Sequence, residues 1–568
     1  MAIDFNILIG GAAGQGVHAI TVPLAKTLVR QGCQVLFVMS YESRIRGGHL
    51  FNLIRVSDQP LISSREGVDL LVALNQETVQ LHQNELAPNG VLIYDASKVK
   101  EAPAEGRKLA LDPEALLPEK KSAEIAINAG ASGALLGLLR VKLEPLMALL
   151  LEAFGDKGAE VVGWNHKAAA AGYKLGTALD IGYSLAGLTP PAQPRLLISG
   201  HEALALGALA AGLQFISGYP MTPWSSVLNT VGQRAAKWGV VVEQAEDEIA
   251  AINLALGASY AGVRAMTGSS GGGFSLMVET LGLAGCSETP LVIVEAQRPG
   301  PSTGLPTRTS QGDLSFVLSA GQDDFPRAVL APGTPVQAFA QAARAFNLAD
   351  RYQLPVFLIT DQYLADANFT HEFMDFPEGV EIDRALERGP ATATYERYAI
   401  TDTGVSPRRL PGFGPVVVAD SDEHTPDGHL TEDLQVRVQM HEKRLRKLQT
   451  LAPELNGITA YGPAEAPLTL ACWGSSLGPV QEAVARLHAA GTPARMVHLS
   501  ELWPFPADKV AAALKGTKKL VMVEMNATGQ CHRLLRQETG IKADHLVLKY
   551  DGLPFTPEYI MRGLNKFV

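Results

Sequence analysis

Glu248 opens an apolar run, Ile249-Ala-Ala-Ile-Asn-Leu-Ala-Leu-Gly257, that reads as a helix. A carboxylate at that place has two readings. It is an anion that a helix N-terminus favours, and taken alone that reading is the simpler. It is also a proton-transfer group, if it sits on rigid structure beside a loop of small residues where a flat ligand can approach backbone. Such a loop follows at Thr267-Gly-Ser-Ser-Gly-Gly-Gly-Phe274, since glycine permits close approach and unusual dihedrals. The plain alternative for the glycine run is a strand-to-helix turn. Upstream lie the turn Gly218-Tyr-Pro-Met-Thr-Pro223 and the acidic cluster Glu243-Gln-Ala-Glu-Asp-Glu248, in which Glu246 competes with Glu248 for the chemical role.

A second glycine loop, Gly10-Gly-Ala-Ala-Gly-Gln-Gly-Val17, follows an apolar strand and precedes a helix. Backbone N–H groups at such a place bind phosphates. Arg44 and Arg46, in Tyr41-Glu-Ser-Arg-Ile-Arg-Gly-Gly48, could add charge-assisted bonds. The competing reading is a dinucleotide site, but Gly11-x-Ala13-x-x-Gly16 is only a degenerate form of that fingerprint.

A serine hydrolase is the main rival from another class. Gly474-Ser-Ser-Leu-Gly478 has the Gly-x-Ser-x-Gly pattern between a strand and a helix, and Asp508 and His532 follow in hydrolase order. Gly268-Ser-Ser-Gly-Gly272 has the same pattern. Two hits in one glycine-rich chain show how cheaply it arises. A fluorophosphonate label on Ser476 would favour this rival. The stretch Asp420-Ser-Asp-Glu-His-Thr-Pro-Asp-Gly-His429 lacks glycine at the sixth loop position of an EF-hand and reads as a solvated surface loop, so no metal ligand is assigned. The cysteines Cys33, Cys286, Cys472 and Cys531 are too scattered for an iron–sulfur loop and read as free thiols in a reducing compartment.

The elements that must position these residues form several domains, because 568 residues exceed one core. Hydrophobic content of 46% and charged content of 19% suit a well-packed globular protein. The net charge of -10, from 48 basic and 58 acidic residues, excludes a general nucleic-acid binder. The start lacks a basic segment followed by a long apolar core, so no secretion signal is read. The apolar stretch 131–154 is broken by Arg140, Lys142 and Glu144, so it is not a bare membrane span. A cytoplasmic protein is expected.

Residues 1–189 alternate strands and helices, with buried parallel strands near 69–74 and 90–94. They end at the linker Thr189-Pro-Pro-Ala-Gln-Pro194. A second α/β domain is expected over 195–370. Residues 371–465 read as a linker excursion carrying one solvated helix near 441–450. A final domain, 466–568, opens with a strand and the amphipathic helix 480–489.

Residues 196–370 resemble the pyrimidine domain of the alpha subunit of the 2-oxoacid:ferredoxin oxidoreductases. The resemblance is carried by Gly218-Tyr-Pro-Met-Thr-Pro223, Glu246-Asp-Glu248, Gly271–Met277, Gln297-Arg-Pro-Gly-Pro-Ser-Thr-Gly-Leu-Pro-Thr307 and Gln311-Gly-Asp313. Met221 stands where the family usually has isoleucine. Residues 1–189 resemble the family's gamma domain, fused N-terminally, and the last domain, with Val523-Glu-Met-Asn-Ala-Thr-Gly-Gln530, resembles its transketolase C-terminal-like domain. The implied fold is α/β and multidomain: a thiamine-diphosphate-enzyme pyrimidine domain, an α/β gamma domain and the transketolase C-terminal-like domain.

The resemblance implies a set of roles. Glu248 would hydrogen-bond the aminopyrimidine ring of thiamine diphosphate and promote its imino form, with Tyr219, Pro220, Gly271 and Gly272 around the cofactor. Thr222 and Arg298 would lie near the carboxylate of the 2-oxo acid. The Pro301–Arg308 stretch resembles the 2-oxoglutarate subtype, which makes Thr307 and Arg308 candidates for the distal carboxylate. An ordinary loop salt bridge from Arg308, with Asp313, is the competing reading. Gly11, Gly14, Gly16, Ser43, Arg44 and Arg46 would bind coenzyme A. The chain has no Gly-Asp-Gly motif for magnesium and diphosphate. The family carries that motif, Mg2+ and a 4Fe–4S cluster on a beta subunit. The resemblance thus implies an obligatory beta partner, an (alpha–beta)2 heterotetramer, ferredoxin as electron acceptor, and neither nucleic acid nor membrane. The reaction would be oxidative decarboxylation to acyl-CoA or the reverse carboxylation. An acyl-CoA-binding scaffold is the non-catalytic rival.

Overall fold

The computed structural model describes residues 3–43, 48–118, 122–182, 184–387, 395–414, 416–565 and 567. The chain forms two compact units: residues 1–198 with 366–375, and residues 199–365 with 376–568. Among the described residues no helix is long and apolar enough to cross a membrane.

The first unit is built on an eight-stranded mixed sheet. Asp4–Ala12, Val68–Ala73, Leu86–Asp95 and Arg107–Leu111 run parallel in that order. On the other side of Asp4–Ala12 the pairing turns antiparallel through His49–Ser57 and Gln34–Ser40 to Asn368–His371. The strands Leu196–Ser199 and Asn368–His371, at the two ends of the expected 195–370 domain, complete this sheet. Parallel strands covered on both faces read as unbroken apolar runs, and Val68–Ala73 is buried along its whole length. The helices Ala123–Leu138 and Ala159–Thr177 meet almost backbone to backbone. A Cβ at Gly133 would lie 2.0 Å from the Ala169 carbonyl oxygen, and one at Gly172 would lie 2.0 Å from that of Gly130. The alanines and glycines of these segments are there for that approach.

The second unit holds two sheets. The seven-stranded sheet runs Glu501–Trp503, Ala328–Leu330, Pro355–Asp361, Leu291–Gln297, Ala265–Ser269, Phe215–Gly218, Val241–Gln244. All its pairs are parallel except the one made by Glu501–Trp503. Leu291–Gln297 and Pro355–Asp361 lie at its centre, each buried over all seven residues. The five-stranded sheet runs Ile458–Tyr461, Ala494–Leu499, Leu468–Trp473, Lys519–Glu524, His545–Leu548. A continuous core joins the two sheets, from Phe274 and Ile293 to Trp473 and Met522.

Two expectations are corrected here. The charged helix between the last two domains is not solvated. It spans Leu434–Leu451, and Met440, Lys443, Arg444, Lys447 and Leu451 are buried. Lys443 Nζ lies 2.6 Å and Lys447 Nζ 2.5 Å from the carboxylate of Glu288, all three being fully buried. Arg444 and Arg437 meanwhile grip Glu423. The stretch 420–429 is likewise more than a solvated loop, since His424 is wholly buried against the Tyr398 ring.

Candidate active site

Four segments of the second unit converge at the carboxyl ends of its parallel strands, the edge where open α/β sheets place their ligands. The first is the helix Glu248–Ala261. Asp247 caps it, its side chain accepting the Ala250 N–H at 2.8 Å, and Gly262 closes it in the left-handed region at φ 109°. With Asp247 as the cap, Glu248 is freed from that task. It is 2% exposed, and Ser269 Oγ donates to its Oε1 at 2.8 Å. Oε2 makes no hydrogen bond among the described residues. Glu246 is exposed.

The second segment is the end of strand Ala265–Ser269 and the start of helix Gly271–Cys286. A Cβ on Gly273 would lie 2.1 Å from Glu248 Oε1 and 2.0 Å from Ser269 Oγ. Only glycine lets that helix start close on the carboxylate. Gly271 is half-buried and Gly272 exposed. The hydroxyls of Thr267 and Ser270 are buried with no hydrogen-bond partner among the described residues.

The third is the turn after strand Phe215–Gly218. Trp224 is fully buried and packs on Gly218 and Gly268, each too close for a side chain in place of hydrogen. The turn is therefore held flat on the sheet, with Tyr219 and Pro220 exposed and Thr222 half-buried. The fourth is the loop after strand Leu291–Gln297. Arg298 Nη1 donates to the Thr222 carbonyl at 2.8 Å, which brings the two expected carboxylate-binding residues together. Arg298 is 8% exposed; burial lowers its pKa, while Glu248 and Asp313 counter that.

Further along this loop, Thr307 and Arg308 are half-buried, and Arg308 lays its Cβ on Gly552. Thr309 donates its N–H to Gly552, and Gln311 exchanges backbone and side-chain bonds with Met525 and bonds the Trp473 carbonyl. The five-stranded sheet thus holds the far end of the loop. Gln297 Oε1 accepts the Asp313 N–H at 3.0 Å. Burial, ahead of any other influence, raises the Asp313 carboxyl to about 6. Ser269, Gly273, Gln297 and Gln311 had no assigned role from sequence, although each lies within a segment that the sequence singled out: the glycine run 267–274, the loop that opens at Gln297 and the Gln-Gly-Asp at 311–313.

The hydrolase arrangement is not assembled. Ser475 Oγ donates to Asp361 at 2.5 Å and Ser476 Oγ to Gln311 at 3.3 Å. His532 accepts the Ala543 N–H, and Asp508 is exposed. Among the described residues the one group of three potential metal ligands is Asp323, Asp324 and His441, and Arg437 already bonds Asp323 and His441.

In the first unit the glycine loop runs off strand Asp4–Ala12 into helix Val17–Arg30. Gly14 (φ 90°) and Gly16 (φ 83°) are left-handed, and Gly11 is buried. Gln15 folds back to accept the Ala12 N–H at 2.7 Å. Ser43 is exposed, whereas Arg44 and Arg46 lie outside the described residues. At the neighbouring strand, His49 and His82 bond through their Nε2 atoms at 2.8 Å.

Three families of known proteins match the chain in succession. The one described as pyruvate ferredoxin/flavodoxin oxidoreductase matches residues 6–175. The thiamine-diphosphate-binding part of pyruvate flavodoxin/ferredoxin oxidoreductase matches 206–443, and core domain II of pyruvate:ferredoxin oxidoreductase matches 466–557. The alpha subunit of 2-oxoacid:ferredoxin oxidoreductase 2 from Aeropyrum pernix is 33% identical, over 97% of this chain and 96% of that one. The 2-oxoglutarate oxidoreductase subunit KorA of Mycobacterium tuberculosis is 32% identical over 90% of this chain and 82% of its own. Among solved structures, the 2-oxoglutarate:ferredoxin oxidoreductase of Magnetococcus marinus, with 2-oxoglutarate, coenzyme A and succinyl-CoA bound, superposes with a TM-score of 0.92. It is 32% identical and covers 99% of both chains.

Proposed function

This chain belongs to the 2-oxoacid:ferredoxin oxidoreductases, as an alpha subunit with a gamma-type domain at its N-terminus, and from that premise we propose that it oxidises 2-oxoglutarate. The reaction is 2-oxoglutarate plus coenzyme A to succinyl-CoA and CO2, with ferredoxin taking the electrons, or the reverse. It requires a beta subunit that brings Mg2+ and the 4Fe–4S cluster. The observation that carries the reading is the buried Glu248, held by Ser269 and closed over by Gly273, with Arg298 and Thr222 in the adjoining turn and loop.

These residues fit the pyrimidine end of thiamine diphosphate. A carboxylate oxygen and two hydroxyls that have no partner among the described residues, with a helix start that tolerates no side chain, make a polar cradle for a flat amino-substituted ring. When bound, the cofactor supplies the nucleophilic carbon and the electron sink for decarboxylation. Glu248 holds or releases a proton at the ring. Ser269 keeps Oε1 fixed, so that Oε2 presents one geometry. Arg298 orients the 1-carboxylate of the substrate, its guanidinium steadied by the Thr222 carbonyl. Tyr219 and Pro220 on the turn, and Gly271 and Gly272 at the helix start, border the ring. Thr307 and Arg308 serve the distal carboxylate. In the first unit, the backbone N–H groups of the Gly11–Gly16 loop and the helix start of Val17–Arg30 take phosphate groups of coenzyme A.

The test is substrate choice in the assembled enzyme. A charge-assisted bond from Arg308 is worth about 1.5–3 kcal/mol, roughly tenfold to hundredfold. Arg308→Met lowers kcat/KM on 2-oxoglutarate by about that factor and spares 2-oxobutyrate, which has no second carboxylate. Equal losses on both substrates would reassign Arg308 to loop support, and a wild-type preference for pyruvate would overturn 2-oxoglutarate as substrate.

A further inference from the structure

A wholly buried carboxyl, Glu295, and a half-buried one, Asp313, lie beside the Glu248 site. Glu295 stands on strand Leu291–Gln297 opposite Ser269, whose hydroxyl bonds Glu248. It is wholly buried, and neither of its oxygens finds a conventional donor among the described residues. No lysine or arginine among them neutralises it. Gln297, two residues on along the same strand, accepts the Asp313 N–H at 3.0 Å, which holds the Asp313 carboxyl beside that of Glu295, where each acts on the other. Two carboxylates hold no hydrogen to share. One proton between them supplies the missing donor and removes one charge from the interior. Asp313 is the better seat for the charge that remains. Its Oδ2 lies 2.5 Å from where a Gly271 Cβ would stand, at the positive start of helix Gly271–Cys286, and Arg298 acts on it.

We propose that Glu295 and Asp313 share one proton, and that the single charge left on Asp313 orients Arg298 for the carboxylate of a 2-oxo acid. Both are positioning residues, and this rests on the reading of Arg298 as the carboxylate site. The charged groups that act on the pair are Arg298 at the site and Asp361 at the end of the adjacent strand Pro355–Asp361, which is tied to Ser475 and the Leu364 N–H. Loss of the shared proton puts a second negative charge beneath Arg298 and weakens binding of an anionic substrate. Burial, with Asp313 and Asp361 adding to it, raises the Glu295 pKa well above the usual carboxylate range, so that loss falls on the alkaline limb.

Two measurements test this. Infrared difference spectra of the full chain at neutral pH, wild type against Glu295→Gln, show a protonated carboxylic C=O band that the variant lacks. Asp313→Asn shifts the band without removing it, since Glu295 then donates to an amide oxygen. Absence of the band from wild type overturns the pair whatever the activity. In the reconstituted enzyme, wild-type KM for the 2-oxo acid rises about tenfold along the alkaline limb, the effect of one added charge at partial screening. Glu295→Gln, which donates but cannot ionise, flattens that rise and leaves kcat within about twofold of wild type. A KM profile unchanged by Glu295→Gln overturns the positioning role. If the wild-type complex turns over no 2-oxo acid, the functional reading fails, while the band still decides the pair.

Discussion

At the scale of single residues, Glu248 and Glu246 differ in environment rather than in type. Glu246 is exposed, while Glu248 is buried and bonded by Ser269. A proton-transfer group contributes about 10²–10⁴ in rate when its geometry is held. Glu248→Gln therefore lowers turnover of the assembled enzyme by about that factor, with the chain still folded by circular dichroism, and Glu246→Gln is close to neutral. The reverse pattern would assign the proton to Glu246. The helix start at Glu248 was legible from sequence because a carboxylate opening an apolar run is a local pattern, whereas the choice of Glu248 over Glu246 came from the family resemblance. Ser269 and Glu295 were not legible, because their roles come from the register of strands Ala265–Ser269 and Leu291–Gln297, which no local pattern encodes.

At the scale of elements, the helix Leu434–Leu451 shows where composition misleads. Its charges read as a wet face, yet Lys443 and Lys447 are buried on Glu288, 155 residues from Lys443 in sequence. Burial opposes ionisation of Glu288, but Lys447 and Lys443 outweigh it and hold the carboxyl well below its usual range. A depressed carboxyl stabilises the fold above the pKa of the unfolded chain, about 4.3, and loses that contribution as pH falls toward the folded value. Glu288→Gln leaves two buried lysines, whose charge burial already opposes, without their anion and costs about 3–5 kcal/mol. Thermal unfolding of wild type and variant should thus differ most between pH 5 and 8, taken as about the range of maximal stability, and converge in acid. A gap independent of pH would mean that Glu288 acts through packing alone. The central strands were legible because both their faces are covered and they read as apolar runs. Asn368–His371 was not, being four residues long and paired with a strand more than 300 residues away.

At the scale of the whole molecule, the second unit carries an uncovered apolar face beside its site. Helix Glu248–Ala261 buries Ala251, Ile252, Ala255 and Leu256, but its outward side offers Ile249, Asn253, Leu254 and Gly257, with no charge among them. Ile249 is 50% exposed, and on the following helix Leu276 is 51% exposed. A solvated helix normally turns charge outward, and apolar residues left out beside a half-built site mark an interface. The cradle around Glu248 offers a ring its polar contacts but, among the residues described, no metal cluster at the site for a diphosphate. A beta subunit seated on this face would supply that half, in an interface of obligate size, above about 2,000 Å². Purification from the native host should therefore yield this chain together with a second subunit carrying thiamine diphosphate, a divalent metal and an iron–sulfur cluster. Ile249→Asp with Leu276→Asp should leave the isolated chain's melting temperature unchanged and release it from the complex in size-exclusion chromatography, because a charge tolerated in water is stranded once the face is covered. Activity should vanish with the complex. Oxidation of a 2-oxo acid by this chain alone, or a complex that survives both aspartates, would show that the face belongs to something else.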